Sequence, residues 1–281
     1  MKRDRGIRRW EQTVRKIGGR LGSGVMAAVE VTISNGRADI ALARPDVLNA
    51  MNWEVFDGLA RAADEVRAAE DVRVVVVTGA GRSFCSGIDT SAFGDLAGSF
   101  DEMVARAQAG FRKVASLPMP VVAAVQGHAL GAGLQLALAC DLRVVAADAS
   151  LGLLEARFGL LPDLCGTQRL PALVGPARAK KMIWLAERIS GTEAGDVGLA
   201  DLVVPADELL AAAHELASRL LHAPPIAVRE VKRLVDLAGT VDLDAGMDEE
   251  AAAQRRTFAS ADFSEGMAAF IAKRPPDFTG R

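Results

Sequence analysis

Two runs of mostly β-branched and small apolar residues, 72–78 and 120–125, each lead into a loop of glycine and other small residues. A strand built almost wholly of valine and alanine has no polar face to offer water. It must be covered on both sides, which a parallel sheet with helices on both faces achieves. Around these runs the chain alternates strand-like and helix-like patterns. Residues 29–34 and 38–43 read as strands joined at Asn35-Gly36, the strongest short hairpin signal. Helical spacing covers 53–69, 102–115 and 131–140, and 142–146 reads as a further strand. From Pro176 onward the pattern is mostly helical, over 177–188, 207–221, 225–237, 245–259 and 263–273. The expectation is an α/β core over 26–200 followed by a helical region over 201–281.

Residues 1–25 stand apart. They are basic, with apolar residues at helical spacing, but lack the apolar stretch of a secretory signal. Asp4, Glu11 and the scarcity of serine argue against a mitochondrial presequence, leaving a poorly ordered extension as the expectation. The 281 residues carry a net charge of −3, so no basic field recruits nucleic acid. No apolar run approaches the length that spans a bilayer. The three cysteines and three histidines are scattered, which predicts neither a disulfide framework nor a metal site. A reducing, cytoplasmic setting is the default for such a chain.

The loops after the two buried runs are 79–89, which contains Phe84-Cys85-Ser86-Gly87-Ile88-Asp89, and 127–133, Gly127-His128-Ala129-Leu130-Gly131-Ala132-Gly133. Small residues let backbone come close to a ligand. The second loop also opens a helix, whose first N–H groups have no partner within the helix. Each loop alone is as readily a simple chain reversal. Neither is a phosphate loop, because no Gly-Lys-Ser/Thr follows.

Taken in order, these loops and three other blocks resemble the enoyl-CoA hydratase/isomerase (crotonase) family. The blocks are Arg44-Pro45-Asp46-Val47-Leu48-Asn49-Ala50-Met51 before the loops, Gly159-Leu160-Leu161-Pro162 with Gly166-Thr167-Gln168-Arg169-Leu170 after them, and Glu265-Gly266-Met267-Ala268-Ala269-Phe270 with Lys273-Arg274 near the end. The resemblance implies a crotonase-like α/β spiral of ββα units with a C-terminal helical trimerisation region. It also implies an acyl-CoA thioester substrate, no cofactor beyond that coenzyme A, no membrane or nucleic-acid partner, and a homotrimer or hexamer.

The resemblance also implies roles for residues. The N–H groups of Ile88 and Ala132 match the pair that binds the thioester oxygen and stabilises an enolate. Hydratases of the family use two glutamates; the matching positions hold Gln135 and Glu155. An amide exchanges no proton near neutral pH. At a third position, where hydratases usually have glycine, this chain has Asp163, as the family's dienoyl-CoA isomerases have an acid. A Glu155/Asp163 proton shuttle that moves a double bond is therefore expected. Hydration of a 2-enoyl-CoA and non-catalytic acyl-CoA binding are the alternatives. Val47, Ser86, Asp89 and Gln135 are expected beside the substrate, and Phe270 and Lys273 at the nucleotide end of CoA. Plainer roles compete: an ion pair of Glu155 with Arg157 or Arg169, a turn or helix cap for Asp163, core packing for Phe270 and a solvated charge for Lys273.

Overall fold

The computed structural model describes residues 27–93 and 99–281, so the basic extension lies outside the described residues. Among the described residues are nine strands and ten α-helices. Strands β1 (Val29–Ser34) and β2 (Arg37–Leu42) form an antiparallel hairpin. Both turn residues, Asn35 and Gly36, have positive φ, as the tight hairpin turn requires. From β2 the sheet continues in parallel through β3 (Val74–Gly79), β4 (Val121–Val125), β6 (Leu142–Ala146) and β9 (Leu202–Val204). Val74–Val77 and all of β4 are fully buried, as their lack of a polar face demands.

Helices α1 (Trp53–Ala68) and α2 (Phe100–Ala115) pack on each other, and α1 also packs on β1 and β2. Asn52 caps α1 by accepting from the Val55 N–H, and Ser99 with Glu102 forms a capping box on α2. The second loop leads through β5 (His128–Leu130) into α3 (Ala132–Ala139), every residue of which is buried. A helix that is apolar on every face but for one glutamine belongs in the interior.

Several elements depart from the sequence expectation. A small second sheet joins β5, β7 (Ser150–Gly152) and β8 (Ile189–Ser190), strands too short to carry a periodic signal. Helix α4 (Gly166–Val174) forms where no helix was expected. Helix α5 (Pro176–Trp184) stops short of residue 188, because the chain turns at Ala186, φ 47°, to enter β8. After α6 (Gly191–Asp196), the expected boundary at residue 200 falls just before β9. That strand completes the main sheet, and α7 (Leu209–Leu221) packs on β3, β4 and β6. The exclusively helical part therefore begins at α8 (Pro225–Leu237) and continues through α9 (Leu243–Phe258) and α10 (Ala261–Ala272).

Contacts from its first helix and from its C-terminal tail fasten this part to the core. Lys232 of α8 pairs with Asp141 at 2.7 Å, and the same carboxylate accepts from the Val121 N–H where β4 begins. Beyond α10, the Phe278 carbonyl accepts from Arg73 beside β3, while Asp262 accepts from the N–H groups of Thr279 and Gly280. Among the described residues no helix is long and apolar enough to cross a membrane.

Candidate active site

The first loop is held between two other chain segments. On one side Cys85 pairs with Ala129: the Cys85 N–H donates to the His128 carbonyl, and the Leu130 N–H to the Cys85 carbonyl. On the other side Met51 pairs with Ile88, donating to the Gly87 carbonyl and accepting from the Asp89 N–H. The Ser86 N–H donates to Leu48, completing that edge. This pairing leaves the Ile88 N–H over. Ala132 is the first residue of α3, so its N–H has no intrahelical acceptor. Among the described residues neither N–H donates a hydrogen bond.

The two loops meet backbone to backbone. A Cβ built on Gly131 would lie 4.0 Å from the Gly87 Cα, and one on Gly87 would lie 3.2 Å from the Leu130 carbonyl oxygen. At Gly133 it would lie 2.4 Å from the Cys85 carbonyl oxygen, closer than any side chain tolerates. Gly131 itself adopts φ 51°, ψ −119°, a conformation essentially reserved for glycine.

Asn49 is a positioning residue that sequence reasoning missed. It is fully buried with φ 57°, and its amide donates to the carbonyls of Ala80 and Ser83 while accepting from the Arg44 N–H. It ties the Met51 segment to the base of the first loop. A buried polar side chain in a turn between apolar residues was its only signal. Arg44 reinforces the same corner, through the Ala50 carbonyl and a 3.0 Å ion pair with Asp89. Asp89 is thus occupied by Ser91 and Arg44, which hold its carboxyl below the usual range. It serves the loop as a brace. Val47 and Ile88 expose their side chains, and the Ser86 hydroxyl donates to the Val47 carbonyl, so these three are gathered at one rim.

Glu155 follows β7 at the start of a 3-10 turn, half-buried. A Cβ on Gly131 would lie 3.4 Å from its Oε1, which places the carboxyl beside the second loop. The expected alternative of an ion pair is not found among the described residues. Arg157 donates to the Ala186 carbonyl and Arg169 to the Leu138 carbonyl. The partner of Glu155 is Gln135, whose Nε2 donates to Oε1 at 2.8 Å. Burial raises the Glu155 pKa most; backbone and Gln135 hydrogen bonds oppose it, and the Asp163 charge adds to the rise.

Asp163 adjoins Leu164, whose N–H donates to Gln135, the partner of Glu155. The Asp163 backbone carbonyl accepts from Gln108 of α2 at 2.6 Å. Its side chain stays open to solvent, but surrounding protein still raises its pKa through desolvation. A cavity of about 840 Å³ opens beside it, walled in part by Phe111, Leu161 and Leu164. Glu155, Ile88 and Ala132 are not in that wall. The structure thus gathers Val47, Ser86, Ile88, Asp89, Ala132, Gln135, Glu155 and Asp163 into one neighbourhood. It does not bring Phe270 and Lys273 there. Phe270 is 81 % exposed on α10, and Lys273 is the exposed C-cap of that helix. No hydrogen bond among the described residues joins either side chain to the loops.

Paired backbone loops, one opening a buried helix, lie beside a half-buried carboxyl, and the chain belongs to the enoyl-CoA hydratase/isomerase family, a class of acyl-CoA enzymes: that family's model matches residues 32–281. It is 38% identical over 242 residues to a probable enoyl-CoA hydratase of Mycobacterium tuberculosis, covering 86% of this chain and 94% of that protein. It is likewise 38% identical over 243 residues to the crotonyl-CoA hydratase of Syntrophomonas wolfei, covering 85% and 92%. Among solved structures, an enoyl-CoA hydratase from Bacillus anthracis superposes with a TM-score of 0.86 at 35% identity, covering 90% of this chain and all of that one. A Thermobifida fusca protein solved in complex with CoA gives 0.78 at 39% identity, covering 83% and 93%. The fold is the crotonase fold.

Proposed function

We propose that this enzyme shifts the double bond of an enoyl-CoA thioester, with Glu155 and Asp163 moving the proton. The observation that carries this reading is Gln135. It stands where hydratases of the family have their first glutamate and is held as an amide by three hydrogen bonds. That leaves Glu155 as the carboxyl at the loops, with Asp163 as the second proton carrier. On a 3-enoyl thioester, Glu155 removes a proton from C2 and the electron pair spreads over C2, C3, C4 and the thioester oxygen. The Ile88 and Ala132 N–H groups receive that charge, each worth about 3 kcal/mol in the transition state. Asp163, in its acid form, returns a proton at C4. The two carboxyls then exchange a proton to reset, so the substrate neither gains nor loses atoms.

A hydratase is the second reading, and the hydratase names of the relatives favour it. It needs Glu155 to work with a water held by Gln135 or Asp163. Incubation with 3-enoyl-, 2-enoyl- and dienoyl-CoA thioesters, followed by ultraviolet absorbance and mass, separates the readings. Isomerisation changes the absorbance without changing the mass. Gain of one water's mass on the 2-enoyl substrate alone overturns the isomerase reading, and no change on any substrate leaves an acyl-CoA binding protein.

The CoA nucleotide end is assigned to Phe270 and Lys273 of a neighbouring subunit, since both are exposed at the end of α10. Lys273→Ala is then expected to weaken CoA binding about three- to tenfold at low salt, the scale of one exposed charge-assisted contact. Its kcat at saturation stays unchanged. Calorimetry that finds equal affinity in variant and parent removes Lys273 from the site.

A further inference from the structure

Gln135 is only 1 % exposed, in a helix whose other buried residues are apolar or glycine. Its Oε1 accepts from the Leu164 N–H at 2.7 Å and the Gly166 N–H at 3.0 Å, and its Nε2 donates to Glu155 Oε1 at 2.8 Å. Backbone N–H groups only donate, so the end of the amide that meets residues 164 and 166 has to be its oxygen. The NH₂ end is thereby forced toward Glu155. Glu155 Oε2, in contrast, is buried and accepts no hydrogen bond among the described residues.

We propose that Gln135 is a positioning residue that holds Glu155 as a carboxylate with its Oε1 against the second loop. The inference rests on the reading of Glu155 as the base. One oxygen is pinned by a donor that cannot rotate away without stranding two buried N–H groups. A carboxyl at position 135 would act differently. One of its oxygens would keep the two backbone donors, and the other would face Glu155 Oε1. Two carboxyls at that distance share a proton rather than ionise together. The amide abolishes that sharing, so Glu155 begins the cycle ready to accept. The same amide ties residues 164–166 to α3 and so fixes the turn that carries Asp163. Asp163 is the charged side chain that acts on Glu155 from this turn, while Arg157 and Arg169 are directed to backbone carbonyls elsewhere.

The test is a carboxyl ¹³C NMR titration of Glu155, assigned with Glu155→Gln, in the parent, Gln135→Met and Gln135→Glu. Gln135→Met removes the donor; Gln135→Glu keeps the acceptor for residues 164 and 166 and replaces the donor with a second acid. Both are expected to raise the Glu155 titration by about one pH unit or more. The acid limb of kcat/KM should move by the same amount while the substrate KM stays within a few-fold. Should Gln135→Met fail to fold, Gln135→Glu decides alone. A Glu155 titration in Gln135→Glu that matches the parent, or an acid limb that stays in place while the titration moves, overturns the proposal. Shifted titrations in an enzyme that isomerises no 3-enoyl-CoA uphold the positioning role and sink the isomerase reading instead.

Discussion

Glu155→Gln is expected to lower kcat by about 10²-fold or more, the scale for losing a positioned acid or base, while KM changes little. The replacement is isosteric, and its amide oxygen can still accept from Gln135, so the site keeps its shape. Stability provides the control. Burial raises the Glu155 pKa above its ordinary 4.5 in the folded protein. The folded state therefore binds this proton more tightly than the unfolded state does. Stability from this group is greatest below about 4.5 and declines as pH rises through the raised folded value. The neutral variant lacks that decline, so at pH 7 its Tm should equal or exceed that of the parent. Asp163→Asn should cost a comparable factor, and the double variant less than the product of the two, because both groups serve one shuttle. Undiminished turnover by Glu155→Gln, or strictly multiplicative losses, contradicts the shared-proton mechanism.

Gly133→Ala should be damaging without touching any acid or base. Its new methyl would sit 2.4 Å from the Cys85 carbonyl oxygen and 2.8 Å from the Cys85 Cβ. Backbone cannot give way as a flexible side chain does, so the two loops must separate. Overpacking of this kind costs about 1–3 kcal/mol, equivalent to roughly 2–10 °C in Tm for a domain of this size. The loss of kcat should exceed tenfold, since each misplaced donor forfeits about 3 kcal/mol of transition-state stabilisation. Thermal denaturation and steady-state kinetics at saturating thioester measure both. Parental Tm and kcat would mean the loops do not abut as described.

The buried strands and amphipathic helices were legible because each carries a long signal. Valine runs announced β3 and β4, and 3.6-residue spacing announced α1, α2 and α7 to α10. The second sheet was not legible. Its strands have two or three residues, and β8 takes its conformation from pairing with β7 rather than from its own composition. At the site, the glycine loops, Glu155, Asp163 and Gln135 could be picked out by residue type and order. The bond between Gln135 and Glu155 could not, since 20 residues separate them and nothing local requires it. Asn49 went unnoticed for the same reason: the two carbonyls its amide donates to lie more than 30 residues downstream. Lys273 shows the opposite limit. The sequence marks it, but one chain does not carry it to the loops.

The fastening of the helical part has a consequence for the order in which the molecule assembles. Arg73 stands at the entrance to β3, yet the carbonyl it donates to, on Phe278, lies 205 residues later. Lys232 likewise reaches back 91 residues to Asp141. During synthesis, at roughly 5–20 residues per second, β3 is made tens of seconds before the partner of its flanking arginine exists. The central sheet must therefore collapse and stay soluble without its final clasp. The partners of the Asp141–Lys232 pair are both synthesised before those of the Arg73–Phe278 contact. A ribosome stalled after residue 240 should thus display a protease-resistant core whose region around Arg73 is still open to cleavage.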